Sequence, residues 1–290
     1  MKTALLTGAN GALAQEIIDL LNPERYCLIK WTAKELDVTN KYDVHEKILR
    51  LNPKIVFHFA AKTDVDWCEN HPDQSFLVNA QAVFYIAKAC KKIDSTFVFP
   101  STYYVFSGLN KSPIDDRFDQ PILSETLGIY AKHKLIAEQM LEELDIDKKL
   151  VVRLGSLFGG KNKDKKFVHK ILELAKIRNR ISVVSDRFIQ PSYSRDSIKN
   201  LLTLIDNQIY GTYNMVGHGI TSYFEYAKTI LDFARIRNIK LSAIPADTFI
   251  EAAPRSRKLE VRNGKLIELG LDQMRDWKVS LEEYITHVIY

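Results

Sequence analysis

Cysteine is scarce: the 290-residue chain has three, Cys27, Cys68 and Cys90, far apart and with no C-x-x-C pair. That excludes a disulfide framework, offers no zinc site and suits a reducing compartment. The seven histidines show no H-x-x-x-H or H-E-x-x-H spacing, so no metal centre is expected. No stretch approaches the ~18 uncharged apolar residues that a membrane helix needs. Glycines and Asn10 interrupt the apolar N-terminal run before a signal-peptide core can form. A cytoplasmic protein with no membrane partner is therefore expected. Repeats, low-complexity tracts and proline-rich linkers are also lacking. Charge of one sign is in only mild excess: 41 Lys and Arg against 36 Asp and Glu give +5, scattered along the chain. Such a balance favours small anionic ligands over nucleic acid, and the K-N-K-D-K-K run at 161–166 reads as a solvated loop.

What is present is a chain that is 46% hydrophobic, enough for a full core. Short apolar runs at 4–7, 27–30, 54–61, 96–101 and 150–155 alternate with helix-spaced segments at 14–21, 41–51, 75–91 and 130–144. This alternation predicts βαβ units and an α/β fold, a doubly wound parallel sheet of the Rossmann kind. Beyond residue 155 the rhythm loosens. The expected division is a dinucleotide-binding core over 1–155, with a returning segment near 181–210, and a smaller lobe, mainly substrate-binding, over 156–290.

The run L-L-T-G-A-N-G-A-L-A places Gly8 and Gly11 between the first strand and the first helix. Glycine permits a tight turn and close approach of backbone to a pyrophosphate, and a helix N-terminus supplies N–H groups. Gly8, Asn10, Gly11, Ala12 and Leu13 are thus cofactor-loop candidates. After the second strand come Lys30, Thr32 and Lys34, cationic and hydroxyl groups suited to a 2′-phosphate. NADPH is favoured on that ground, with NADH open. Asp37 and Val38 follow, and Asp37 is expected to order the loop near the adenine.

In G-I-Y-A-K-H-K-L-I-A-E, Tyr130 and Lys134 stand four apart and share one helical face. The fourth strand runs into P-S-T-Y-Y, bringing the hydroxyls of Ser101 and Thr102 to the carboxyl edge of the sheet. A tyrosine beside an ammonium and a second hydroxyl makes a proton donor for a carbonyl oxygen. Thr102, Tyr130 and Lys134 are the catalytic candidates. His133, between them, reads as solvent-facing.

These motifs, with F-H-F-A-A-K-T-D-V-D, L-V-N-A-Q-A-V-F-Y-I-A-K-A-C, D-R-F-I-Q-P-S-Y-S-R-D, G-T-Y-N-M-V-G-H-G and A-P-R-S-R-K-L-E-V-R-N-G-K-L, resemble the extended short-chain dehydrogenase/reductases. Within them the chain is most similar to the dTDP-4-dehydrorhamnose reductase family. The resemblance implies NAD(P) binding and reduction of the C4 ketone of a nucleotide-diphosphate sugar for surface polysaccharide. It implies cofactor contacts at Ala60, Ala61, Lys62 and Arg153, and, among the cofactor-site residues, an Asn79 that orders backbone near the active site or satisfies a local carbonyl. Thr63 and Val65 are then expected at the sugar, with Tyr103 and Ser156 standing where the family usually has Asp and Trp. Gln190, Arg195 and Arg255 are candidates for the diphosphate, because guanidinium groups match phosphate oxygens. A homodimer is open. So are two alternatives: reduction or epimerisation of a GDP-, UDP- or CDP-linked sugar, and a non-catalytic, cofactor-binding regulatory subunit.

Overall fold

The protein is described from a computed structural model, which covers residues 1–107, 109, 112–123, 125–161, 166–249 and 251–289. Positions 162–165, the centre of the lysine-rich run, lie outside the described residues. In chain order the elements are β1 (Lys2–Thr7), α1 (Ala12–Leu20), β2 (Tyr26–Trp31), α2 (Lys41–Leu51), β3 (Ile55–His58), α3 (Val65–Asn70) and α4 (Pro72–Phe76). A π-helical turn (Leu77–Gln81) joins α4 to α5 (Ala82–Lys92). Then come β4 (Thr96–Thr102), a 3-10 turn (Tyr103–Phe106), β5 (Ile114–Asp115), α6 (Ile129–Glu143), β6 (Lys149–Leu154) and β7 (Ser156–Phe158). The distal half adds α7 (Phe167–Ile177), β8 (Arg180–Val184), β9 (Phe188–Ile189), β10 (Pro191–Tyr193), α8 (Ser194–Asp206), β11 (Gly211–Met215) and β12 (Thr221–Ser222). Last are α9 (Tyr223–Phe233), β13 (Lys240–Ile244), β14 (Val261–Arg262), α10 (Gly264–Glu268), α11 (Trp277–Tyr284) and a π-helical turn (Ile285–Ile289).

Six parallel strands form the central sheet in the order β11-β6-β4-β3-β1-β2. Side chains alternate between two buried faces, which is why the strands are apolar throughout rather than every second residue. Leu6, Phe57, Val98 and Val152 pack with Ile17 of α1 and Leu201 of α8. On the opposite face Leu5, Val56, Phe99 and Val151 pack with Val44 of α2, Ile86 of α5 and Leu141 of α6. The order reverses between β1 and β3, and the open end there is where ligands of doubly wound sheets bind.

A second cluster holds the distal lobe, with Ile171 of α7, Ile181 and Val183 of β8, Ile230 of α9 and Leu281 of α11. The expected returning segment, 181–210, is corrected in part. β8 pairs with β13 and turns its apolar residues into the distal cluster, whereas the chain re-enters the core through α8 against α1 and β11 beside β6. The helix expected over 75–91 begins three residues earlier, at Pro72, and carries the π-helical turn.

Gly8 lies in left-handed backbone, φ +67°, and a Cβ there would fall 2.5 Å from the Ala60 nitrogen. Two independent constraints therefore demand glycine where β1 meets β3. Gly8→Ala is expected to destabilise the protein by about 1–3 kcal/mol through strain and overpacking, read as a lower midpoint in urea denaturation.

Candidate active site

Helix α6 carries the site. Its first turn lacks a side-chain cap of its own, since Gly128 is the N-cap residue. Glu69 of α3 supplies one, its Oε1 accepting from the Ile129 N–H at 2.6 Å. The carboxylate offsets the positive end of the helix dipole and fixes the turn that bears Tyr130. One turn on, the Lys134 Nζ donates to the Pro100 carbonyl at 2.9 Å and lies 4.4 Å from the Phe99 ring centroid and 6.0 Å from that of Tyr130. Burial pulls the Lys134 ammonium down to about 7, with Glu138 acting the other way. Burial also pushes the Tyr130 phenol above its ordinary range. The protonated phenol is the form a proton donor requires, and a nearby cation is what stabilises the phenolate left behind.

Glu138 extends the ladder by another turn, and sequence reasoning missed it. It accepts from Ser101 Oγ at 2.5 Å and pairs through two guanidinium nitrogens with Arg153, at 3.1 and 2.7 Å. Both partners are buried. Arg153 was expected at the cofactor; its Nε and Nη2 are instead spent on Glu138, in the core. Thr102, at the end of β4, accepts from the Tyr104 N–H at 3.3 Å and keeps its own proton to donate.

Tyr130 lines a cleft of about 390 Å³ together with Val65, Glu69, Tyr104, Tyr223 and Arg255. Val65 and Arg255 thus line the same cleft as Tyr130. Tyr103 is a correction: it is buried, its hydroxyl is bound to Ser156 Oγ at 3.0 Å, and Tyr104 faces the cleft instead. The 3-10 turn after β4 shifts the register by one residue, which the sequence pattern did not reveal. Ser156 accordingly serves as Tyr103's partner. Gln190 is a second correction. Its amide donates to the Gly217 and Val261 carbonyls and accepts from the Val261 N–H, so it ties β9 and β10 to β14 and has nothing left for a phosphate. Arg195 reaches the buried Glu16 of α1, away from the cleft. Arg255 pairs with Asp66 at 2.7 Å and Glu251 at 3.1 Å, and Glu251 also binds Arg187.

The loop after β1, read from the sequence as a pyrophosphate site, leaves backbone N–H groups uncommitted. Gly8 and Gly11 make the turn, the Gly11 N–H donates to the Gly8 carbonyl at 2.9 Å, and no side chain caps α1. Its first N–H groups, at Ala12 and Leu13, are therefore open to a phosphate, and Asn10 is exposed beside them. At the end of β2, Lys30 is exposed, while Thr32 is held by Glu35, a carboxylate the sequence reading passed over. Asp37 binds the N–H and hydroxyl of Thr39, ordering the turn before α2, and Val38 is buried. After β3, Ala60 and Ala61 are half-buried and Lys62 and Thr63 are exposed. Asn79 is wholly buried and holds both the N–H and the carbonyl of Lys62, so it orders that loop rather than facing a ligand. His133 is corrected too, being buried and bonded to Ser75.

A doubly wound sheet with a glycine turn after β1 and a Thr, Tyr and Lys at the carboxyl ends of β4 and α6's first turns defines an extended short-chain dehydrogenase/reductase. A family model described as the RmlD substrate binding domain matches residues 1–289, and the chain belongs to that family. It is 29% identical over 287 residues to the spore coat polysaccharide biosynthesis protein SpsK of Bacillus subtilis, covering 98% of this chain and 97% of that protein. Identity to the dTDP-4-dehydrorhamnose reductase of Aggregatibacter actinomycetemcomitans is 31% over 262 residues, covering 87% of this chain and 86% of the relative. The solved structure of dTDP-4-dehydrorhamnose reductase from Bacillus anthracis in complex with NADP superposes with a TM-score of 0.90 at 32% identity, covering 98% of both chains.

The lowered pKa of Lys134 carries a stability signature. Between about 7 and the ordinary 10.5 the unfolded chain binds more protons at this group than the folded one, so its cost to folding shrinks as pH rises. Lys134→Met is expected to be more stable than the parent by about 1–3 kcal/mol at pH 6.5, with the gap closing towards pH 10. Urea titrations of both proteins across that range check it.

Proposed function

We propose that the protein is an NADPH-dependent reductase of the C4 ketone of a dTDP-linked 4-keto-6-deoxy sugar, working in the cytoplasm for surface polysaccharide synthesis. The observation that carries this reading is the Tyr130 and Lys134 pair on one face of α6, with Tyr130 at a cleft that also presents Arg255, in a sheet whose first strand leads through a glycine turn into a helix whose N-cap residue supplies no side-chain cap. The cofactor would be held by the Gly8–Leu13 turn, the loop at Ala60, Ala61 and Lys62, and Lys134. When bound, it supplies the hydride for C4.

Every other part of the reaction falls to the chain. Thr102 donates to the ketone oxygen and holds it against Tyr130. Tyr130 passes its proton to that oxygen as negative charge develops there. Lys134 sets the electrostatics, its ammonium stabilising the phenolate in a site that apolar walls keep at low dielectric. Tyr104 and Tyr223 give the cleft aromatic walls, and Arg255, on the same cleft, would exchange its carboxylate partners for a diphosphate oxygen. A 390 Å³ cleft is of a size that encloses a sugar nucleotide's reacting end.

Tyr130→Phe removes only the proton donor. It is expected to lower kcat by about 10²–10⁴-fold while NADPH affinity stays near that of the parent, measured as NADPH oxidation with a panel of dTDP-, UDP-, GDP- and CDP-linked keto sugars and by cofactor titration. A panel in which no keto sugar is reduced by the parent protein contradicts the reading.

A further inference from the structure

Between Tyr130 and Lys134 on α6 stands His133, which none of the proposed chemistry uses. Its ring is buried, packs edge-on against Phe76 with centroids 5.5 Å apart, and places Nδ1 2.9 Å from Ser75 Oγ on α4. Ser75 Oγ is in turn 3.1 Å from Asn79 Nδ2, in the π-helical turn. Asn79 closes the chain on the loop after β3: Nδ2 donates to the Lys62 carbonyl at 2.9 Å and Oδ1 accepts from the Lys62 N–H at 3.0 Å.

The direction of each bond follows from the donors present. The Lys62 N–H fixes the Asn79 Oδ1 as an acceptor, so Nδ2 commits its two hydrogens to Lys62 and Ser75. Ser75, accepting from Asn79, still has its own hydrogen, which suits a bond to an unprotonated His133 Nδ1 with the ring hydrogen on Nε2. Burial, with Lys132 adding repulsion, holds the His133 pKa below its ordinary value, so this neutral form prevails at pH 7. Cys68 of α3 also lies at this junction, 3.8 Å from Asn79 Nδ2, its thiol pushed up by burial and by Asp64 and Glu69 and so neutral.

We infer that His133, acting with Ser75, is a positioning residue that ties the proton-donating helix to the Lys62 loop, so that the tyrosine and the cofactor-bordering backbone are placed as one unit. The inference rests on the reading of that loop as part of the NADPH site. Three links in series, the first two buried and the last, at Lys62, part-buried, join elements from different parts of the chain; a histidine serving only to fill the core would need no such partner line.

His133→Phe keeps an aromatic ring against Phe76 but accepts no hydrogen bond, His133→Asn restores an acceptor near the Nδ1 position, and Ser75→Ala cuts the chain at its middle. NADPH dissociation constants for the full chain by fluorescence titration, with Tm recorded alongside, decide the matter. His133→Phe and Ser75→Ala are each expected to raise Kd about fivefold to tenfold, and the double variant no more than either alone. His133→Asn is expected to return most of the affinity, and the loss to fall on KM for NADPH more than on kcat. Kd values equal to that of the parent in both single variants, with only Tm altered, overturn the inference, as do additive effects in the double variant. A parent protein that binds no NADPH overturns the underlying site reading as well, and that outcome is distinct from the first two.

Discussion

An ammonium buried under a tyrosine is the constraint around which this molecule is arranged. Taking Lys134 out of water is costly, and the fold meets that cost with one carbonyl, two aromatic faces and the field of Glu138 a turn away. Glu138 in turn is acceptable in the core because Arg153 and Ser101 satisfy it. Removing any of these leaves an unmatched charge in apolar surroundings, so the ladder Tyr130, Lys134 and Glu138 and the ends of β4 and β6 form a single electrostatic unit. Function dictates a group that stability alone disfavours.

The rest of the sheet positions this unit against the cofactor turn. β1, β3 and β4 lie side by side, so the glycine turn, the Lys62 loop and Thr102 emerge at one edge. Gly8 is pressed onto Ala60, which locks the first two of these together. The chain returns to the core through α8 and β11, and Gln190, between β9 and β10, is bonded to Val261 of β14. Arg255 and Asp66 then span from that lobe to α3, which also holds Glu69 against the N-terminus of α6. Such interlacing keeps Tyr130 and the distal-lobe wall of its cleft, at Tyr223 and Arg255, in register.

Much of this was legible in the residue order. Strand and helix alternation, the turn at Gly8 and Gly11, and the spacing of Tyr130 and Lys134 are local patterns, and each is found where the spacing puts it. The β8 segment, Tyr103, Gln190, Arg153 and His133 were misplaced because their surroundings are set by distant partners. Gln190 and Val261 are 71 residues apart, and His133 and Ser75 are 58 apart. A 3-10 turn of four residues sufficed to exchange Tyr103 and Tyr104 between core and cleft. One signal was available and missed: a glutamate at i+4 from a buried lysine, Glu138, marks a helix face that carries charge inward.

Transfer of hydride to the sugar C4 with the proton arriving separately from the protein is the central claim. The most direct measurement is the NMR spectrum of the product formed by the parent protein from a dTDP-4-keto-6-deoxy sugar and NADPH deuterated at the nicotinamide C4. The account predicts deuterium on the sugar C4 and an exchangeable proton on its oxygen. Absence of turnover, or a product with ordinary hydrogen at C4, contradicts it.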